Sequence, residues 1–375
     1  MLAGAGHAHA EVLRDWARAP MAGVELVVVS PQARAAYSGM VPGWLSGHYR
    51  DDEISIDFGR LCAAAGARFV VGGIEALDAA RRRLALDSGD RLDYDLLSLN
   101  VGSTLRAPER PDAAAVLALR PLSGLADGLR AALARLADEP RDRPVEVVAV
   151  GGGAAGFEAL LALLARLRQA HPKRRVHGRL VVRDAGLLPG LAPSARRAAA
   201  RALARAGVRL VSAAPWSGRA TTWHVDARPG DQAMDPGIRI VLWATGAESH
   251  DWQRDPARRG ALAVSADGFV RVDALLRSVS HPEVFAAGDC AAWAAPLPKA
   301  GVHAVRMGPV LARNLRAALG AGRARPFRPQ PRVLALLATA DGRAIASRGG
   351  LGAEGRWVWR WKDAIDRRFV RRFGG

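Results

Sequence analysis

The 375-residue sequence predicts an α/β fold: two Gly-turn βαβ units, followed by a C-terminal α+β region. Three observations carry this. Glycine-rich turns open at Gly4 and at Gly151, and each leads into a helical pattern. Short apolar runs of strand character alternate with amphipathic ones. Three of those runs end in glycine turns, at Gly102, Gly246 and Gly288, the kind of strand end where ligands sit in doubly wound sheets.

Composition narrows the function classes. Half of the residues are hydrophobic, 24% are charged and the mean hydropathy is +0.01. No apolar run approaches the roughly 18 to 20 residues that cross a bilayer, which excludes transmembrane transport. Glu11, Arg14 and Asp15 interrupt the start before an apolar leader can form, so the cytoplasm is the expected compartment. Net charge is +18, yet the basic residues are 51 arginines and only three lysines, and pairs such as Arg174-Arg175 and Arg258-Arg259 are scattered. Outside the last twenty residues no basic element is interleaved with stacking aromatics, and nucleic acid is not an expected partner. Cys62 and Cys290 form no C-x-x-C, which excludes a dithiol motif and a cysteine-only metal cluster.

The elements follow in order. Gly4-Ala5-Gly6-His7-Ala8-His9 precedes a helical stretch over Ala10–Ala19 and the apolar run Val24–Val29. Only Met1, Leu2 and Ala3 precede Gly4, fewer than the five or six residues of a usual central strand, so either the start is set late or the strand is stunted. Asp93–Ser103 reads as a strand. Leu122, Leu125, Leu129, Leu133 and Leu136 mark an amphipathic helix, and Glu139–Pro144 a polar linker. Strand Val145–Val150 then leads into Gly151-Gly152-Gly153-Ala154-Ala155-Gly156-Phe157-Glu158, a helical leucine face and strand Leu180–Val182. Ser194–Ala206 is a helix with Ser194 as N-cap and Gly207 as stop. Ile240–Gly246 and Val284–Asp289 are further strands with glycine turns.

The second turn satisfies G-x-G-x-x-G with Gly151, Gly153 and Gly156, between a strand and a helix, where a Rossmann-like dinucleotide site needs it. Its glycines permit the tight turn, pyrophosphate approach and helix packing, and the helix N-terminus offers N–H groups to phosphate. The bland alternative is a tight turn with no ligand. After Val182, Arg183 suits a 2′-phosphate and Asp184 a ribose diol, so NADPH and NADH stay unseparated. Glu158 is either near the nicotinamide or an exposed helix glutamate. His7 and His9 lack the further ligands of a metal site, and packing or a phosphate contact explains them better.

In the tail, Arg356–Lys362 alternates aromatic and basic like a strand, and Trp361, Ile365, Phe369 and Phe373 recur every four residues beside Arg367, Arg368, Arg371 and Arg372. A strand running into a basic amphipathic helix is expected. Its apolar stripe has three candidate partners: the protein's own core, a second copy in a homodimer, or an anionic membrane surface.

Together these motifs resemble the two-dinucleotide-binding-domain flavoproteins, across essentially the whole chain. Gly6–His9, Tyr37–Gly43, Pro298–Val302 and Trp359–Asp363 are most similar to the type II NADH dehydrogenase-like module found fused to selenide, water dikinase. The resemblance implies an FAD domain over 1–115 and 247–325, an inserted NAD(P) domain over 116–246, and a C-terminal region over 326–375. Gly4, Gly6, His7 and Ala8 would face the FAD pyrophosphate, Ser30 the adenosine ribose and Ile74 the adenine. Gly102, Gly246 and Gly288 would turn the strand ends, and Asp289 would hold the ribityl chain. Ser38 and Gly39 would lie by the isoalloxazine, with Lys299, Ala300, Gly301 and Val302 at its edge. Gly151, Gly153, Gly156 and Arg183 would hold NAD(P)H, and Glu158 and Lys299 are the candidate catalytic residues. Ser30 replaces the acidic residue expected at its position, and Asn100-Val101-Gly102 replaces Ala-Thr-Gly. The implied activity is hydride transfer from NAD(P)H to FAD and on to a quinone-like acceptor, at a cytoplasmic or membrane-peripheral location. The rivals are a sulfide:quinone oxidoreductase-like enzyme, whose chemistry needs cysteines beside the flavin, and a non-catalytic dinucleotide-binding accessory of selenium metabolism.

Overall fold

The computed structural model describes residues 1–105, 107, 115–183, 186–212 and 237–374. Two five-stranded sheets, parallel throughout, organise it. The first runs in the order Val284–Ala286, Leu97–Leu99, Leu2–Ala3, Val27–Ser30 and Arg68–Val71. The two-residue strand Leu2–Ala3 occupies the centre, paired with Val28 and Val29 on one side and Ser98 and Leu99 on the other. Both its residues are buried. The second sheet runs in the order Ala115–Ala118, Ile238–Trp243, Val145–Val150, Val176–Val182 and Val208–Ser212. Its middle strands are near-continuous Val, Ile and Leu because both faces are buried, one under helices Leu125–Ala137, Ala154–Ala170 and Pro193–Arg205 and the other with Leu105.

Helices His7–Arg18 and Gly301–Ala318 cross on the first sheet where Gly308 lets the backbones approach: a Cβ there would lie 2.8 Å from Glu11 Cβ. Helix Ala154–Ala170 is buried almost all round, from Gly156 to Leu164 and again at Leu167. Its period is thus that of a helix with neighbours on every side rather than a surface helix. Those neighbours are the second sheet, the short helix Val41–Leu45 and the C-terminal strand Ala335–Ala338.

The C-terminal region is an antiparallel sheet of Ala335–Ala338, Ala344–Arg348 and Leu351–Gly355, followed by helix Arg356–Arg371. It corrects the expected tail in two ways. The alternating segment Arg356–Lys362 is helix, because the neighbouring strand ends at the Ala344–Gly355 pair and leaves residue 356 no ladder partner. The expected stripe also splits, with Phe369 and Phe373 buried while Trp361 and Ile365 stand on the opposite, exposed side with Trp357. Elsewhere, helix Pro193–Arg205 begins one residue early. Pro193 supplies the pre-set first turn, and Ala192 N–H donates to Ser347 Oγ (3.0 Å), so Ser194 is not the cap. Gly207, at φ +61°, ends it as expected. Strand Leu97–Leu99 is shorter than the expected Asp93–Ser103, since Arg91–Asp93 joins an antiparallel three-stranded sheet instead.

Candidate functional site

The Gly4–Gly6 turn connects the central strand of the first sheet to helix His7–Arg18. Asn100, at the end of the adjoining strand, is buried inside it. Its Oδ1 accepts from Ala8 N (3.0 Å) and His9 N (3.4 Å), and its Nδ2 donates to Ala287 O (2.6 Å). The turn's first two glycines are required by that approach. A Cβ on Gly4 would lie 2.5 Å from Asn100 O, and one on Gly6 would overlap the Asn100 side chain. His9, standing where a third glycine is usual, is buried. A carbonyl only accepts, so His9 Nδ1 carries the proton to Gly4 O (2.7 Å), and Nε2 accepts from Ser98 Oγ (2.8 Å). Burial lowers its pKa to about 4. His9 thus braces the turn from behind, while the amides of Gly6 and His7 are left without a partner among the described residues. Ser30 ends the next strand, buried, and its carbonyl accepts from Gly72.

The second turn distributes its glycines differently. A Cβ on Gly151 would overlap Ala244 O and one on Gly156 would overlap Gly151 O, so both serve close packing. A Cβ on Gly153 meets nothing within 4 Å. Open space in front of Gly153, at the N-terminus of a buried helix, is the room a pyrophosphate requires. Arg183 ends the neighbouring strand and is exposed, Gly246 is open at the end of another, and Asp184 lies outside the described residues.

Asp289 follows Gly288 in a short 3-10 turn, with Gly288 at φ +73° and in contact with Asn100 Nδ2. Arg120, which precedes the second sheet's first helix, reaches across to the Asp289 carboxylate and to Ser103 Oγ, and donates to Lys299 O (3.1 Å). Ala300 is the N-cap of the long helix that starts with Gly301 and Val302, and Gly301 lies against Ser38 Oγ. The Lys299 ammonium turns away from these groups. It donates to Ala291 O (2.6 Å) and sits 3.7 Å above the Phe269 ring, and burial lowers its pKa. Ile74 lines a cavity of about 300 Å³ with Thr104, His250, Asp251, Trp252 and Arg258, two residues beyond the Gly102 turn.

A buried polar cluster joins the modules. Lys362 Nζ, on the C-terminal helix, donates to Gly39 O (2.6 Å) and pairs with Asp366 (2.6 Å), both side chains being under a tenth exposed. Tyr37 hydrogen-bonds Asp366, and its ring packs on Phe369 (4.4 Å) and edge-on to His7 (5.3 Å). His7 is lowered to about 4 by burial, which the Asp289 charge partly offsets. Glu158 is buried, so it is not an exposed helix glutamate. Its Oε1 accepts from Ala338 N (2.7 Å), and burial raises its pKa to about 7 against the pull of Lys362. Beside it is a cavity of about 140 Å³ walled by Pro42, His48, Ala338 and Trp359.

The structure therefore brings Gly4, Gly6, His7, Asp289 and Gly301 to one groove and Gly151, Gly153 and Glu158 to a second turn. Sequence reasoning passed over Arg120, Lys362, Asp366 and the role of Asn100. The i, i+4 spacing of Lys362 and Asp366 was a usable signal, as was a lysine kept amid 51 arginines: a compact ammonium fits one carbonyl and one carboxylate where a planar fork does not. Among the described residues there is no group of three metal-ligating side chains.

Two glycine turns at the strand ends of two parallel sheets agree with the family model "Pyridine nucleotide-disulphide oxidoreductase", which matches residues 1–308. The chain belongs to this family. It is 33% identical over 234 residues to the biphenyl dioxygenase system ferredoxin–NAD(+) reductase component of Paraburkholderia xenovorans (strain LB400), covering 61% of this chain and 50% of that protein. It is 30% identical over 259 residues to an NADH dehydrogenase-like protein of Mycobacterium tuberculosis (strain ATCC 25618 / H37Rv), covering 63% and 58%. The chain thus spans only half to three-fifths of these relatives' length. In fold it is similar to the sulfide:quinone oxidoreductase of Aquifex aeolicus (TM-score 0.74, 14% identity, 99% and 90% covered) and to NDH2 from Plasmodium falciparum (TM-score 0.73, 11% identity, 99% and 96% covered).

Proposed function

We propose that this family member is an FAD-dependent NAD(P)H dehydrogenase that passes electrons to a quinone-like acceptor. The observation that carries the reading is the pairing of two cradles. The first offers the unpartnered Gly6 and His7 amides with the Asp289 carboxylate nearby, and the second offers the open space at Gly153. FAD fits the first and NAD(P)H the second. Bound there, the flavin supplies two-electron acceptance from the nicotinamide and release to an acceptor. The chain's own residues orient and enclose: Arg120 and Ser103 fix Asp289, the helix Gly301–Ala318 begins beside Ser38, and the Phe369, Tyr37 and His7 rings wall the groove. Glu158 holds a proton near neutral pH next to the second turn. We assign the domains as 1–115 with 247–325, 116–246 and 326–375.

The acceptor reading rests on the C-terminal helix. Its inner face carries Lys362, Asp366 and Phe369 into the site, and its outer face shows Trp357, Trp361 and Ile365 (58, 41 and 39% exposed) among the exposed Arg356, Arg360, Arg368 and Arg371. Aromatic and aliphatic side chains bordered by arginines fit an anionic lipid surface, from which a quinone is taken. No helix among the described residues is long and apolar enough to cross a membrane, so such contact would be peripheral. The relatives named above include a ferredoxin reductase component, which makes a small iron–sulfur protein the competing acceptor. A mechanism that needs reactive cysteines fits poorly, since Cys62 and Cys290 are buried in different clusters with thiols pushed up to about 11. The competing non-catalytic reading is a dinucleotide-binding accessory of selenium metabolism, suggested by Ser30 and by His9 in the first turn. Anaerobic addition of NADH should bleach the flavin band of the purified protein, and a short-chain quinone should restore it. Bleaching with no reoxidation by quinone would retire the acceptor, and absence of a flavin band the whole reading.

A further inference from the structure

Three glycines of the first unit close on one residue, Asn100: Gly4 on its backbone, Gly6 and Gly288 on its side chain. A Cβ at Gly4 would come within 2.5 Å of the Asn100 backbone, at Gly6 it would overlap the Asn100 amide, and at Gly288 it would lie 2.7 Å from Nδ2. Asn100 is 3% exposed, and its amide is engaged at both ends: Oδ1 accepts the second and third N–H groups of helix His7–Arg18, and Nδ2 donates to Ala287 O, one residue before Gly288. One end of this side chain therefore fixes the helix that presents Gly6 and His7 amides to phosphate. The other fixes the turn that presents Asp289.

We propose that Asn100 is the positioning residue of the FAD site, setting the pyrophosphate donors and the Asp289 carboxylate in one register. The proposal rests on the reading of the first cradle as an FAD site. It also accounts for the departure from Ala-Thr-Gly at this strand end: alanine, the residue that pattern places at position 100, has neither an acceptor for Ala8 and His9 nor a donor for Ala287. By taking the Ala8 and His9 amides, Asn100 restricts the phosphate to the turn itself rather than the second step of the helix.

Asparagine and aspartate have the same shape, which gives a test that simple loss of packing does not imitate. A protonated carboxyl at position 100 reproduces the amide's pattern, accepting from Ala8 and His9 and donating to Ala287. An ionised one loses that donor and sets a negative charge beside the phosphate donors. Titrating apoprotein with FAD, and separately with NADH, should show Asn100→Asp binding FAD at least tenfold more weakly at pH 8.5 than at pH 6, while the wild type changes less than threefold. Asn100→Ala should be at least tenfold weaker at both pH values. In both variants NADH affinity for the second turn should stay within twofold, which reports an intact fold. Wild-type FAD affinity in both variants overturns the proposal, as does parallel loss of FAD and NADH binding, which would make Asn100 a general structural residue. A wild-type chain that binds no FAD overturns the reading beneath it instead.

Discussion

Gly153 and Glu158 sit five residues apart at the second turn and answer to different physics. Gly153 has an ordinary helical-cap φ of −78° and open space at its Cβ, so Gly153→Val strains nothing locally and only fills the ligand's room. NADH affinity should fall at least tenfold, on the order of 1.4 kcal/mol or more, with bound flavin unchanged. Steady-state KM and the flavin spectrum check both halves. Glu158 carries a charge question. Its carboxyl is raised from 4.5 to about 7 by burial, so the native state keeps a proton that the unfolded chain releases. Stability is therefore full below pH 4.5 and declines as pH rises through 7. Glu158→Gln keeps an acceptor for Ala338 N–H without the charge, and should be more stable than wild type at pH 8, by about 3 kcal/mol at most, but equal at pH 4.5. His9 works in the opposite direction, since its folded value of about 4 lies below 6.5 and its contribution is lost as pH falls between the two. Thermal melts of both proteins at several pH values separate the slopes.

The C-terminal helix does two jobs because its two faces differ. On the inner face Lys362 satisfies Gly39 O and Asp366 together, away from water. Lys362→Met should cost about 3 to 5 kcal/mol in chemical denaturation, because it strands a buried carboxyl and a carbonyl. Lys362→Arg should not restore the loss, since the longer planar fork has no matching pocket. On the outer face, Arg367 is engaged with Glu53 and Asp363, and Arg372 with Glu11, so neither is free to meet lipid. Arg356, Arg360, Arg368 and Arg371 make no ion pair among the described residues. Full-length protein should pellet with anionic vesicles at low salt and release at high salt, and changing those four arginines to Gln should abolish pelleting, each contributing on the order of 1 kcal/mol. Unchanged pelleting of the variant would remove the membrane face.

In the whole molecule the C-terminal region is a clamp across both parallel-sheet units. Arg201 and Arg205 of helix Pro193–Arg205 pair with Glu354, and Ala338 N–H reaches Glu158. Tyr49 Oη donates to Asp363, Arg367 meets Glu53, and Arg372 meets Glu11 on the other side. Exposed pairs of this kind contribute little singly, but the buried Lys362–Asp366 pair and Glu158 lie between them. The helices that follow the two glycine turns are thus both tied to the C-terminal region, one through Glu11 and Arg372 and the other through Glu158 and Ala338.

The sequence by itself determined both glycine turns and the parallel strands that feed them, because these are local: strand, turn and helix patterns lie within about thirty residues. It also determined that a helix with an apolar face ends the chain. Tertiary structure decided which face is inside, since Trp361 and Phe369 are equally apolar and only the packing of Phe369 on Tyr37 distinguishes them. It decided that Glu158 is buried, because the covering strand Ala335–Ala338 lies about 180 residues away. It turned Asn100 from a departure into the hub of three glycines, two of them about a hundred residues before it and one nearly two hundred after. Hydrogen bonds between strand ends join residues that have no spacing in common, so no periodicity announces them.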